Sequence, residues 1–243
     1  MLSFSNSTRL AAAVAVCALA APAFADAPPM TLTVNSGAFG KQVNLNPNSV
    51  SASGMGTYTG SVAASDGLWN VNYNFSAASA TDTAMQSGSM SIQNLSGGEM
   101  TFSITLSLPT AAFEPLSGLF NGSISAVLFT SGAGYFRSVD TAPCWLATSG
   151  ASVVNSLLAA PVNVNRNSTG TTLIGSAAFG GSTPSLPAPT FGTNIAVTLS
   201  FVLSAGDTAS FSTQLGGAGV AIPAPGVLAV LGGAGLLNRR RRR

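Results

Sequence analysis

Two carboxyl groups are enough to hydrolyse a glycosidic bond, one giving a proton and the other acting as base or nucleophile. Asp66, Asp82, Glu99, Glu114 and Asp140 are available for such a pair. No spacing links any two of them, and acids in turns ordinarily hydrate or cap. The chain has no histidine, which removes Ser–His–Asp triads, imidazole bases and His-bound metals. Lys41 is the only lysine, and no calcium loop of the D-x-[DN]-x-[DN]-G type occurs. These residue types predict no catalytic residue, no metal ligand and no cofactor, and hence a protein that is not an enzyme.

Aromatic rings offer the other chemistry, stacking against sugar faces. Trp69 and Tyr73 share the strand face of Val71 and Phe75, so they read as core. Tyr135 and Trp145 lie in the irregular stretch Ser131–Ser149 and are the candidate stacking residues for a glycan. Cys144 is the only cysteine outside the N-terminal apolar run. It has no intramolecular partner and reads as a small buried hydrophobe.

The elements that must position these residues are strands. Trp69–Phe75 alternates large apolar side chains with Asn, Met100–Leu108 alternates apolar with Ser and Thr up to Pro109, and Ile195–Leu203 repeats the pattern. Period two with one apolar face marks half-buried antiparallel strands. Shorter runs are Met30–Asn35, Met55–Ala63, Ser89–Asn94, Ser123–Phe129 and Thr171–Ala178. Ser96-Gly97-Gly98 and Ala205-Gly206-Asp207 read as hairpin turns, the second returning the chain as Ala209–Leu215. Ala151–Ala160 is the best helical spacing, and it is short. Gly180–Pro189 reads as a loop. No internal repeat of fixed period is present. Many short strands with Gly, Ser and Asn turns predict an all-β antiparallel sandwich, jelly-roll-like, over residues 26–221. An outer-membrane barrel fits less well, because several strands are short and the aromatics do not form two girdles.

Both ends carry addresses. Arg9 precedes an apolar run from Leu10 to Ala21, and Ala23-Phe24-Ala25 is an A-x-A cleavage site. Residues 1–25 therefore read as a secretory signal peptide. Cys17 follows Val16 rather than a small residue, which disfavours a lipoprotein. At the other end Pro223-Ala224-Pro225 fixes two φ angles and removes two donors. Gly226–Leu237 follows as twelve uncharged residues, about 18 Å of helix against a bilayer core of roughly 30 Å. Arg239, Arg240, Arg241, Arg242 and Arg243 close the chain and hold that end in the cytoplasm by positive-inside logic.

This order of Pro motif, short apolar helix and basic end over residues 222–243 resembles the PEP-CTERM sorting signal of Gram-negative bacteria. Ala224 stands where that family has glutamate. The resemblance implies recognition by an exosortase, with signal peptidase acting at the other end. It also implies a transient inner-membrane anchor before release to the cell envelope or surface. The runs Gly88–Pro109 and Leu199–Phe211 are similar to a group of such proteins with one β-sandwich ectodomain, a resemblance that implies no known activity.

Between Asp26 and Ala221 three cations face seven anions, a net of −4. The basic pI of about 8.8 thus belongs to the tail, and a nucleic-acid partner is disfavoured. Charged residues are 7% of the chain against about 25% in ordinary soluble domains. Hydration must come from Ser, Thr, Asn and Gly. The composition predicts a structural or interaction protein of the cell surface or extracellular matrix, and the sorting-signal resemblance implies association with exopolysaccharide or biofilm. The alternatives are a glycan-binding module and, less favoured, a glycoside hydrolase.

Overall fold

Every second residue of Met30-Thr31-Leu32-Thr33-Val34 is buried, and this alternation recurs wherever the chain is extended. The computed structural model describes residues 27–37, 39–80, 82–110 and 116–220. Those residues form sixteen strands and no helix. None of them forms a helix long and apolar enough to cross a membrane. The signal peptide with Ala23 and Ala25, the sorting motif and Glu114 lie outside the described residues.

β1 (Met30–Ser36) and β2 (Phe39–Leu45) form a hairpin in the first sheet. β3 (Ser49–Val50), β4 (Gly56–Ala63), β5 (Trp69–Ser79) and β6 (Thr83–Asn94) follow as a meander in the second. β7 (Met100–Pro109) returns to the first sheet and β8 (Leu116–Thr130) to the second. β9 (Gly134–Arg137), β10 (Trp145–Ser149), β11 (Ser152–Leu157) and β12 (Asn163–Arg166) belong to the first. β13 (Gly170–Phe179) and β14 (Leu186–Phe191) join the second, β15 (Asn194–Leu203) the first and β16 (Thr208–Val220) the second. The first sheet runs β11-β10-β15-β7-β1-β2, with β9 on β15 and β12 on β9. The second runs β13-β8-β16-β6-β5-β4-β3, with β14 also on β8.

The apolar faces of the two sheets meet in one core. Phe136 and Phe201 of the first sheet stack with centroids 5.1 Å apart, and Phe211 of the second lies 5.1 Å from Phe201. Fully burying each such ring contributes about 1.5–3 kcal/mol. The all-β antiparallel architecture expected from the alternation is what forms, as two packed sheets.

Both expected hairpins are instead passages between sheets. β6 and β7, joined through Ser96-Gly97-Gly98, lie in opposite sheets, and so do β15 and β16, joined through Ala205-Gly206-Asp207. The two corners sit side by side and are tied by Asn94, which is fully buried. Its Nδ2 donates to the carbonyls of Gly98, Leu203 and Ser204 at 2.8, 3.0 and 3.0 Å. Its Oδ1 accepts from the Ser96 N–H and hydroxyl at 2.9 and 2.6 Å. Its backbone exchanges hydrogen bonds with Asp207 O and Gly206 N. Asp207 is also buried and accepts from Ser204 Oγ and from the Ser131 N–H at 3.2 Å. Gly134 leaves the room this requires, because a Cβ there would overlap the Asp207 carboxylate.

Two further expectations are corrected. Ala151–Ala160 is not helical: Ser152–Leu157 is the edge strand β11, turned out of β10 by Gly150 at φ +57°. The β-branched pair Val153-Val154 suits that edge. The expected loop Gly180–Pro189 holds the start of β14, which pairs only with β8. An edge position tolerates Pro187 because its free side needs no donor.

Cys144 is fully buried beside Trp145, as expected for a small hydrophobe. Burial pushes its thiol up to about 11 from 9.0, so the reactive thiolate is scarce at neutral pH. Reducing agent should leave thermal unfolding unchanged, and iodoacetamide should label the native protein far more slowly than the unfolded chain. Cys144→Ser should cost about 1–3 kcal/mol through a buried hydroxyl, read by denaturant titration. Fast native labelling would show an accessible thiol.

Candidate functional site

The two rings singled out for stacking have different fates. Trp145 is fully buried. Its Nε1 donates to Thr213 Oγ1 across the sandwich at 2.7 Å, and its ring meets Phe179 edge-on at 5.9 Å. It is a core residue and no surface platform, which corrects the expectation drawn from its irregular surroundings. That stretch contains β9 and β10, and the alternation Trp145-Leu146-Ala147-Thr148-Ser149 places the indole on the inner face. Trp69 and Tyr73 pack on the core, as their strand parity predicts.

Tyr135 is half-buried on β9 and belongs to a cluster. Its hydroxyl donates to Glu99 Oε2, and Arg137 Nη2 donates to the same oxygen at 2.6 Å. The Arg137 guanidinium lies 5.2 Å from the Tyr135 ring centroid. The Glu99 hydrogen bond, then burial, then the Glu99 charge hold the phenol above its ordinary 10.0, with Arg137 opposing. Glu99 and Asp140 line one groove of about 510 Å³ together with Thr101, Val202, Arg137 and Asn163. Two carboxylates in one groove invite a hydrolytic reading. Glu99 Oε2, however, receives two donors of its own protein, whereas a general acid must present a proton outward. The ion pair is half-exposed and contributes about 0–1 kcal/mol. Among the described residues no group of three or more Asp, Glu or Cys gathers as a metal site.

The most regular exposed feature lies elsewhere, on the outer face of the second sheet. Thr59, Asn74, Ser89, Ser212, Ser125 and Ser176 are directly opposite one another on six consecutive strands, and all six are exposed. One step along, Thr57, Ser76, Ser87, Gln214, Ser123 and Ala178 form a parallel row. Neither row contains an ionisable side chain. At about 4.8 Å per strand each row spans roughly 24 Å, and the rows lie about 7 Å apart. Ser123, Ser125, Ser176, Ser212 and Ala178 line a trough of about 390 Å³ in this face. Ser176 reaches it because β13 bulges between Leu173 and Gly175, and the extra residue switches which side chains point outward.

Beside the trough the same face turns apolar. Val127 and Phe129 continue the outward parity of Ser123 and Ser125, and Leu173 pairs with Val127. Phe129 is 43% exposed and Leu173 60%. The predicted strand Ser123–Phe129 includes this ring. Parity carried forward from Ser123 was the available signal, but the run Val127-Leu128-Phe129 hides it, since all three are apolar.

The chain matches no protein-family model, and no curated protein matches it. Among solved structures it is similar to a carbohydrate-binding module in complex with beta-1,4-galactotriose. The identity is 10% and the TM-score 0.24, over 52% of this chain and 69% of that one.

Proposed function

We propose that this chain is a non-enzymatic, exported protein of the cell surface or extracellular matrix that contacts polysaccharide without turning it over. Residues 1–25 and 222–243 are its export and sorting signals, read by signal peptidase and an exosortase-type system, and residues 26–221 are the ectodomain. One observation carries the passive reading. The exposed row of the second sheet from Thr59 to Ser176 is made of uncharged hydroxyls and one amide, while one oxygen of Glu99 is engaged by Arg137 and Tyr135. Hydroxyls and amides donate and accept hydrogen bonds but move no protons near neutral pH. A second reading, a dedicated glycan-binding module, draws support from the trough and the Phe129 ring beside it.

Incubation of the purified protein with the exopolysaccharide of its own source organism, followed by reducing-end measurement, tests the reading. No sustained release is expected. Release that disappears in Glu99→Gln or Asp140→Asn would establish a glycoside hydrolase instead. Peptide mass spectrometry of the exported form should find Asp26 at the start and no peptide from residues 239–243.

A further inference from the structure

We infer that the serine trough and the Phe129 shelf of the second sheet form one binding site for an uncharged polysaccharide. This rests on the polysaccharide-contact reading above and adds the site and the class of ligand.

Three features of the face select such a ligand. The first is charge. No Asp, Glu, Lys or Arg occurs among the twelve side chains of the two central rows. An anionic chain such as a uronan would find no cation there, and a polycation no carboxylate. Complementarity therefore favours a ligand that is itself neutral.

The second is the pattern of hydrogen-bonding groups. Ser125 and Ser212 are directly opposite each other, with Ser89 and Ser176 one strand further on either side. Each hydroxyl offers one donor and two lone pairs. A sugar hydroxyl has the same capacities, so a polymer that repeats hydroxyls along its length can meet successive strands without a charged contact. A protein partner is a poorer match, because serine is depleted in protein–protein interfaces.

The third is the shelf. Sugar rings present C–H faces as well as hydroxyls, and binding sites combine apolar surface with a few placed polar groups. Phe129, Val127 and Leu173 supply that surface on the same strands, β8 and β13, that supply Ser123, Ser125 and Ser176. Phe129 lies four residues from Ser125 along β8, about 14 Å in a strand. One short segment of chain can therefore cover the ring and enter the trough.

Affinity electrophoresis of the full exported chain tests the site. Gels containing hydroxyethylcellulose, galactan or galactomannan are the uncharged probes, and carboxymethylcellulose and alginate are the anionic ones. At least one uncharged gel should retard the protein strongly and both anionic gels weakly. Phe129→Ala and, separately, the double variant Ser125→Ala/Ser212→Ala should each raise the apparent Kd about tenfold or more. The serines are exposed and Phe129 is 43% exposed, so the double serine variant should unfold at the parent temperature and Phe129→Ala only a few degrees below it, through lost burial. Phe39→Ala removes a similarly exposed ring from β2 of the other sheet and should leave retardation unchanged. Retardation that survives both variants would overturn this site while leaving polysaccharide contact standing. Stronger retardation by the anionic gels would overturn the charge argument. Absence of retardation in every gel, and with the organism's own exopolysaccharide, would overturn the underlying reading as well.

Discussion

Replacing Asn94 by alanine should lower the free energy of unfolding by roughly 3–5 kcal/mol, a severe loss for an uncharged surface-loop neighbour. The side chain occupies the point where two passages between the sheets meet. Removing it takes the amide away from the buried carbonyls of Leu203 and Ser204 and from the Ser96 N–H, whereas Gly98 O and the Ser96 hydroxyl keep each other at 2.7 Å. Each buried polar group left unsatisfied costs about 1–3 kcal/mol, and the losses overlap because the groups share one amide. Asn94→Asp separates the hydrogen-bond account from simple packing. It preserves size and the acceptor facing Ser96, but turns a second acceptor toward three carbonyls. It should rescue nothing at neutral pH. Urea titration of both variants measures the effect, and near-parental stability in Asn94→Asp would show that volume alone holds the corner.

Trp145→Ala should cost about 3–5 kcal/mol, since it deletes the indole and leaves a cavity between the sheets. It also removes the indole N–H that Thr213 Oγ1 accepts at 2.7 Å, leaving that hydroxyl only its bond to Ser123 O at 3.3 Å. Trp145→Phe should recover most of the packing term but not the hydrogen bond, and so fall between parent and alanine variant. Fluorescence gives an independent reading. Trp69 and Trp145 are the only tryptophans and both are buried, so native emission should be blue-shifted and resistant to acrylamide. Red emission that acrylamide quenches freely would return Trp145 to the surface and reopen it as a stacking residue.

The binding reading then depends on Phe129 rather than on either ring singled out by sequence. Tyr135 is engaged by Glu99 and covered by Arg137. Trp145 sits opposite Thr213. Phe129 is the penultimate residue of β8, whose Ser123 and Ser125 point outward, and it shares their direction.

The sequence by itself determined the material of the fold. Met30–Asn35, Trp69–Phe75, Met100–Leu108 and Ile195–Leu203 alternate with period two, and each lies within a strand whose apolar face enters the core. A strand's side-chain direction is a local property, legible wherever the pattern is clean. Cys144 as a buried hydrophobe and the core role of Trp69 were legible for the same reason. Partnership between strands was decided only by tertiary structure. Ser96-Gly97-Gly98 and Ala205-Gly206-Asp207 have turn chemistry, but a turn permits either a hairpin or a passage to the facing sheet. Packing chose the passage, because β16 could pair on both sides with β6 and β8 while β15 paired with β7 and β10. The row from Thr59 to Ser176 likewise exists only through registers set among six strands, including a bulge that turns Ser176 outward. A one-residue slip in any pair would send alternate side chains to the other face. The strands are therefore written locally, and the surface they jointly present is created by their registration.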